Sequence, residues 1–181
     1  MNCPLSIVHY PLSRKGWGWA FPLLLAVILI GCESVSCPLN NTVVCRYGFY
    51  AASSGNGGLS SISVADSITV TAMGTDTTLI NRQYNQSSLE LPMSFYAPAD
   101  TLIWTFTSPD TTLISHILGR DTIVVCKTNR HHFDDPSCPV HIFHHIDSIA
   151  YTHNLIDSII VATPDVNYDE IENIQIIFRT E

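Results

Sequence analysis

Imidazole beside carboxylate is the pairing that holds transition metals, and one stretch of this chain is rich in both. His131, His132, His141, His144, His145 and His153 crowd around Asp134, Asp135 and Cys138, and His131, His132, His141 and His145 are the candidate ligands. Spacing limits what they can do. Residues four apart on one strand face, such as His141 and His145, lie roughly 13 Å apart and cannot share an ion. A site on strands would therefore need the His131-His132 segment to meet one strand histidine, and only a helix would bring His141 and His145 together. Surface histidines without a specific ion are the plainer reading. The carboxylates of Asp134-Asp135 and of residues 165–172 offer oxygen ligands for calcium, but no segment has the Asp-x-Asp-x-Asp-Gly loop. Nucleophilic chemistry lacks its usual setting, since there is neither a Gly-x-Ser-x-Gly elbow nor a cysteine in a local His/Asn signature. Gly55-Asn56-Gly57-Gly58 has no helical pattern behind it to cradle phosphate. Paired carboxylates for glycoside cleavage stay open, because their separation exists only in a fold. These residues predict a protein that is not an enzyme and needs no cofactor, with metal binding through the histidine-rich segment 131–153 as the alternative.

The N-terminus says where such a chain goes. Arg14 and Lys15 precede the apolar run Ala20 to Ile30, interrupted by Pro22, which is the layout of an export signal. A membrane-crossing helix needs roughly 20 apolar residues, about twice this run. The run ends Leu29-Ile30-Gly31-Cys32, which resembles the lipobox of bacterial lipoproteins. A branched residue stands three before the cysteine, a small one fits the peptidase directly before it, and the thiol forms the thioether to diacylglycerol. Cleavage after Gly31 and lipidation of Cys32 are predicted, with membrane lipid as the partner through Cys32. Each buried methylene contributes about 0.8 kcal/mol, so several acyl chains anchor durably where one does not. The predicted organisation is a signal peptide over 1–31, a lipidated tether over 32–40 and one domain over 41–181. Glu33-Ser34-Val35-Ser36 lacks the dense acidic run that resembles a surface-export signal, so the expected location is the periplasm-facing side of the outer membrane.

Removing residues 1–31 leaves 150, enough for one domain with a substantial core. Arg14 and Lys15 leave with the signal, so 6 basic residues face 16 acidic ones and the mature net charge is −10. Phosphate binding needs clustered Lys and Arg, so nucleic acid is excluded as a partner. Of the six cysteines, Cys3 is discarded and Cys32 is lipidated, leaving Cys37, Cys45, Cys126 and Cys138. An even number outside the cytosol points to disulfides, and the spacing lacks a zinc knuckle. Three pairings are open to four cysteines, and sequence does not choose among them. The preferred arrangement is Cys45 with Cys126 and Cys37 with Cys138.

The elements that must position these residues read as strands. Alternating or continuous β-formers, punctuated by Gly, Pro, Asn, Asp and Ser, occupy 43–51, 67–73, 89–94, 102–107, 122–128, 140–151, 156–162 and 173–179. Eight short strands predict an all-β fold, a two-sheet immunoglobulin-like sandwich after an N-terminal signal helix and a short tether. Ile142, Phe143, Ile146, Ile149 and Ala150 also fit a helical face begun by Pro139, but the β-branched and histidine content favours a strand.

Seven of the eleven aspartates are followed by Ser or Thr and then by an aliphatic residue or Thr. Asp accepting local backbone hydrogen bonds at a turn, with a strand starting after it, accounts for most of this set. The irregular spacing excludes a solenoid or propeller repeat. The same words resemble the O-glycosylation acceptor of exported proteins in Bacteroides-like bacteria, with Thr77, Thr101, Thr111 and Ser148 as candidates. Such a modification requires exposure.

The C-terminal half also reads as one pattern: Asp121-Thr122-Ile123-Val124-Val125, Asp135-Pro136-Ser137-Cys138, Tyr151-Thr152-His153-Asn154-Leu155-Ile156-Asp157-Ser158-Ile159, Val166-Asn167 and Asn173-Ile174-Gln175-Ile176. With Leu89-Glu90-Leu91-Pro92-Met93, it resembles a family of small Bacteroidetes lipoproteins, the domain of unknown function 6452. The resemblance implies an exported β-sandwich of unknown activity, working beside an outer-membrane barrel protein, while the tether, the sandwich pattern and the missing chemistry predict a binding or assembly accessory of another envelope protein. It supplies no catalytic residues. Two positions depart from the pattern: Pro139 stands where Gly follows the cysteine, and Cys126 where an aromatic is common.

Overall fold

A computed structural model describes residues 37, 43–53, 58–108 and 117–179. The expected signal cleavage at Gly31, the lipidation at Cys32 and the acceptor Thr111 lie outside the described residues. Among them there is no helix, and eleven strands build two sheets: β1 (Cys45–Ala52), β2 (Leu59–Ser61), β3 (Ser67–Ala72), β4 (Thr77–Gln83), β5 (Ser88–Leu91), β6 (Ala99–Thr107), β7 (Ile117–His132), β8 (His141–Tyr151), β9 (Ile156–Val161), β10 (Asp165–Val166) and β11 (Ile174–Phe178). All eight expected strands are present. The stretch expected at 140–151 is a strand from His141 to Tyr151, because β8 zips antiparallel to β7 from Ile123↔Tyr151 to His132↔His141. β2, β4 and β10 were not expected. Two of them are only three and two residues long, and β4 shows little apolar alternation, with five of its seven residues exposed.

The larger sheet runs β10-β8-β7-β6-β3-β4, antiparallel throughout. In the smaller one β1 pairs parallel with β11, whose far side takes β9. The other edge of β1 is shared in tandem by β5, along Cys45 to Gly48, and β2, along Tyr50 to Ala52. The sheets pack face to face as a sandwich. Alternation along β1 turns Tyr47 and Phe49 inward, where they meet Trp104 of β6 with ring centroids 5.4 and 6.1 Å apart. Phe178 of β11 packs edge-on against both Phe49 and Phe106. Ile68, Val70, Leu91, Ile123, Val125, Ile156, Ile174 and Ile176 complete a fully buried centre. Burying each such side chain contributes about 1.5–3 kcal/mol.

The Asp-Ser/Thr words serve two purposes. Those at Asp66 and Asp76 stand immediately before β3 and β4, as a turn-to-strand signal should. Asp76 takes the left-handed conformation, φ 51°, in the turn that also holds Gly74 at φ 93°. Asp100, Asp121, Asp147 and Asp157 instead lie within strands. Asp121 is buried, and its carboxylate accepts hydrogen bonds from the backbone N–H of Asn154, Leu155 and Ile156 and from the Thr152 hydroxyl, at 2.7–3.1 Å. Burial alone would raise its pKa, but these four donors outweigh it and hold the group below the ordinary carboxylate value. The aspartate therefore ties β7 to the β8–β9 turn more than thirty residues away, instead of ending a local turn.

Candidate binding cleft and the histidine face

At the end of the sandwich where β1 begins, the β5–β6 connection and the β7–β8 loop stand around an open cleft of about 590 Å³. Val43, Pro92, Met93, Phe95, His131 and Ile142 line it, with Tyr96, Val140 and His141 at its edge. Pro92, which lacks an N–H, follows the last residue of β5 and cannot extend its ladder. The chain then turns so that Ser94 donates its N–H to the Asp100 carboxylate at 3.2 Å while its hydroxyl accepts from Ala97 N. This turn projects Phe95, 57% exposed, and Tyr96, 93% exposed.

These aromatics are held out from beneath. Lys127 and Asn129 fall on the inward phase of β7 that Ile123 and Val125 begin. The fully buried Lys127 ammonium donates to Ala97 O at 2.8 Å and pairs with Asp100 at 3.0 Å. Asn129 Nδ2 donates to Phe95 O and Ala97 O at 3.0 and 3.2 Å. Its Oδ1 must then accept, so His144 carries its proton on Nδ1, 2.7 Å away. The buried His144 Nε2 has no hydrogen-bond partner among the described residues. Burial, followed by the neighbouring Lys127 charge, pushes His144 down to about 4, so it is neutral at pH 7. Met93 also lines a second cleft of about 330 Å³, together with Met73, Leu79 and Asp100.

Cys45 and Tyr47 face the same interior. Burial pushes the Cys45 thiol up to about 12 despite its hydrogen bond with Tyr47, so it is protonated at neutral pH and a poor nucleophile. Cys37 and Cys138 are disulfide-bonded, with Cα atoms 5.5 Å apart. Cys45 and Cys126 are free, which corrects the second expected bridge. The reason is strand phase: Cys45 is buried on the core face of β1, whereas Cys126 sits between the inward-facing Val125 and Lys127 and points to the outer face of the larger sheet.

Strand phase also scatters the histidines. His131 and His132 are adjacent on β7 and point to opposite faces, His131 to the cleft and His132 outward. His132 stacks on Phe143 at 4.2 Å, and Tyr168 sets its ring edge-on to His132, His141 and Phe143. Asp134 sits against this group, accepting from the Tyr168 hydroxyl at 2.9 Å and contacting His132 Nε2 at 3.2 Å. His145 lies farther along β8 and pairs with Asp165 at 2.6 Å. His153, at the β8–β9 turn, contacts the Asp157 carbonyl. Among the described residues, no three His, Cys, Asp or Glu side chains converge in a geometry that could hold a metal ion. His132, His141 and Asp134 do come together, but as part of an aromatic packing group. Of the glycosylation candidates, Thr77 and Ser148 are exposed and Thr101 is half-buried.

A model for a family of unknown function, DUF6452, matches residues 67–178, more than half of the chain. The chain belongs to that family. The DUF6452 match runs from the first residue of β3 to the last of β11, so it takes in both loops of the cleft and Cys138 but not β1 or Cys37. No curated protein and no solved structure matches the chain.

The Lys127–Asn129 clamp and the exposed Phe95-Tyr96 pair were missed from the sequence. The available signal was a lysine standing where the apolar alternation Ile123-x-Val125 calls for another buried residue. A lysine buried there must find partners.

Proposed function

We propose that this chain is an exported, non-enzymatic lipoprotein that is anchored through Cys32 to the periplasm-facing side of the outer membrane and serves as a binding or assembly accessory to another envelope component. The observation that carries this reading is what gathers at one end of the sandwich: the Cys37–Cys138 bridge five residues after Cys32, an open apolar cleft, and aromatics held exposed by a buried clamp. A structural disulfide suits an oxidising compartment. An apolar concavity with a few fixed polar groups suits ligand capture. Exposed large apolar residues gathered at one place on a domain mark contact surfaces. An outer-membrane barrel protein is the partner this reading favours, as the neighbour such an anchor supplies. Labelled fatty acid should appear on the wild-type protein and not on Cys32→Ala, and cross-linking in cells should trap an envelope protein on the domain. Absence of label, or cross-links no different from those of an unrelated lipoprotein, would defeat the proposal.

A further inference from the structure

We infer that the cleft end of the sandwich is a membrane-seating surface, with Phe95, Tyr96, Phe133 and Val140 inserted among lipid headgroups of the leaflet that holds the anchor. The inference rests on the lipid-anchor reading and adds an orientation that anchoring alone does not require. Covalent reach is the first argument. Four residues separate Cys32 from Cys37, and the five residue steps between the two cysteines span at most about 18 Å at full extension. Cys37 is bonded to Cys138, which stands in the β7–β8 loop between Phe133 and Val140. A lipid on Cys32 therefore keeps this loop close to the bilayer however the rest of the domain turns.

Surface chemistry is the second argument. Phe133 is 61% exposed and Val140 45%, and Val140 shares the cleft with Phe95 and Tyr96. Pro136 and Pro139 of the same loop are also exposed. Tyr and other amphipathic aromatics favour the headgroup level, where a ring enters apolar surroundings and a hydroxyl stays wet. The loop's carboxylates are engaged within the protein: Asp134 accepts from Tyr168, and Asp135 accepts the Ser137 N–H at 2.8 Å. No cluster of Lys or Arg stands in either loop, so the seat is apolar and does not depend on attraction to anionic headgroups. The rim is also held in place, since the Lys127–Asn129 clamp fixes the backbone that carries Phe95.

The test uses the full lipidated protein in vesicles of phosphatidylethanolamine and phosphatidylglycerol whose acyl chains carry bromine, which quenches tryptophan on contact. After the leader is lost, Trp104 is the sole native tryptophan, and its complete burial makes it an internal reference. Reporters are Tyr96→Trp and Phe133→Trp at the cleft end, with Leu59→Trp, exposed on β2 near the far end, as control. Brominated lipid should quench the two rim reporters about threefold or more beyond the control, and no less at high salt than at low. Rim reporters quenched by aqueous iodide and untouched by brominated lipid, on protein that still co-sediments with vesicles, would overturn the seat while leaving the anchor intact. Shielding from both quenchers would also overturn it, because a second copy of the chain would then be covering the rim. Protein without lipid on Cys32 would remove anchor and seat together, a result that the intact mass of the same sample distinguishes.

Discussion

Acidification should cost this domain stability between pH 6.5 and 4, and His144 should be the main cause. The imidazole is buried, faces the Lys127 ammonium, with Asp100 beyond it and Cys45 and Tyr47 on the opposite sheet, and is held down to about 4 against an ordinary 6.5. The folded state thus binds fewer protons than the unfolded chain across that window. Stability from this group is complete above pH 6.5 and is lost as pH falls towards 4. At about 1.4 kcal/mol per pH unit, the loss is roughly 2–3 kcal/mol. Urea unfolding at pH 7.0, 6.0, 5.0 and 4.5 measures it, with His144→Gln as the comparison, because Gln can still reach Asn129 but does not titrate. The wild type should lose roughly 2–3 kcal/mol more than the variant over this range. Parallel curves would refute the buried, neutral imidazole. Asp121, held below the ordinary carboxylate value of 3.8, contributes stability present above that value and lost at still lower pH, so the two groups separate.

Further outcomes follow from the same contacts. Asp121→Ala should destabilise by about 3–5 kcal/mol, because three backbone N–H groups and the Thr152 hydroxyl lose their acceptor; denaturant midpoints check this, with Asp121→Asn expected to lose about half as much. Lys127→Met should cost about 2–3 kcal/mol by leaving the Asp100 carboxylate unpaired, and adding Asp100→Leu should recover most of it, a double-mutant comparison in which simple addition would contradict the ion pair. Cys37→Ser should lower stability by about 2–4 kcal/mol by opening a loop of about a hundred residues, whereas Cys126→Ser should leave thermal unfolding within about 0.5 kcal/mol of the wild type.

The architecture was readable because burial imposes a period of two wherever a strand covers the core. Tyr47 and Phe49, Trp104 and Phe106, and Ile123 and Val125 each mark an inward face. β4 escaped because half-polar edge strands need no such pattern, and Asn81-Arg82-Gln83 looks like loop. The cysteines were half legible. Compartment and parity pointed to bridging, but pairing depends on which face each strand presents, and Cys126 alternates out of phase with Val125. The histidine cluster shows the same limit, since closeness in sequence is undone when neighbours point to opposite sides of a sheet. Asp121 looked like one more turn aspartate, and nothing local announces that its carboxylate reaches residues 152–156. The cleft was the least visible feature of all, because it depends on how the β5–β6 crossover between the sheets meets the β7–β8 loop of the larger one.

Compartment, tether and seat all depend on Cys32. Intact-mass and peptide mass spectrometry of unreduced protein, extracted from membranes, examines it directly. The mature chain should begin at Cys32, carry diacylglycerol on the thiol, and yield a peptide in which Cys37 is linked to Cys138 while Cys45 and Cys126 remain free. A chain that begins elsewhere, or a Cys32 without lipid, would contradict the account.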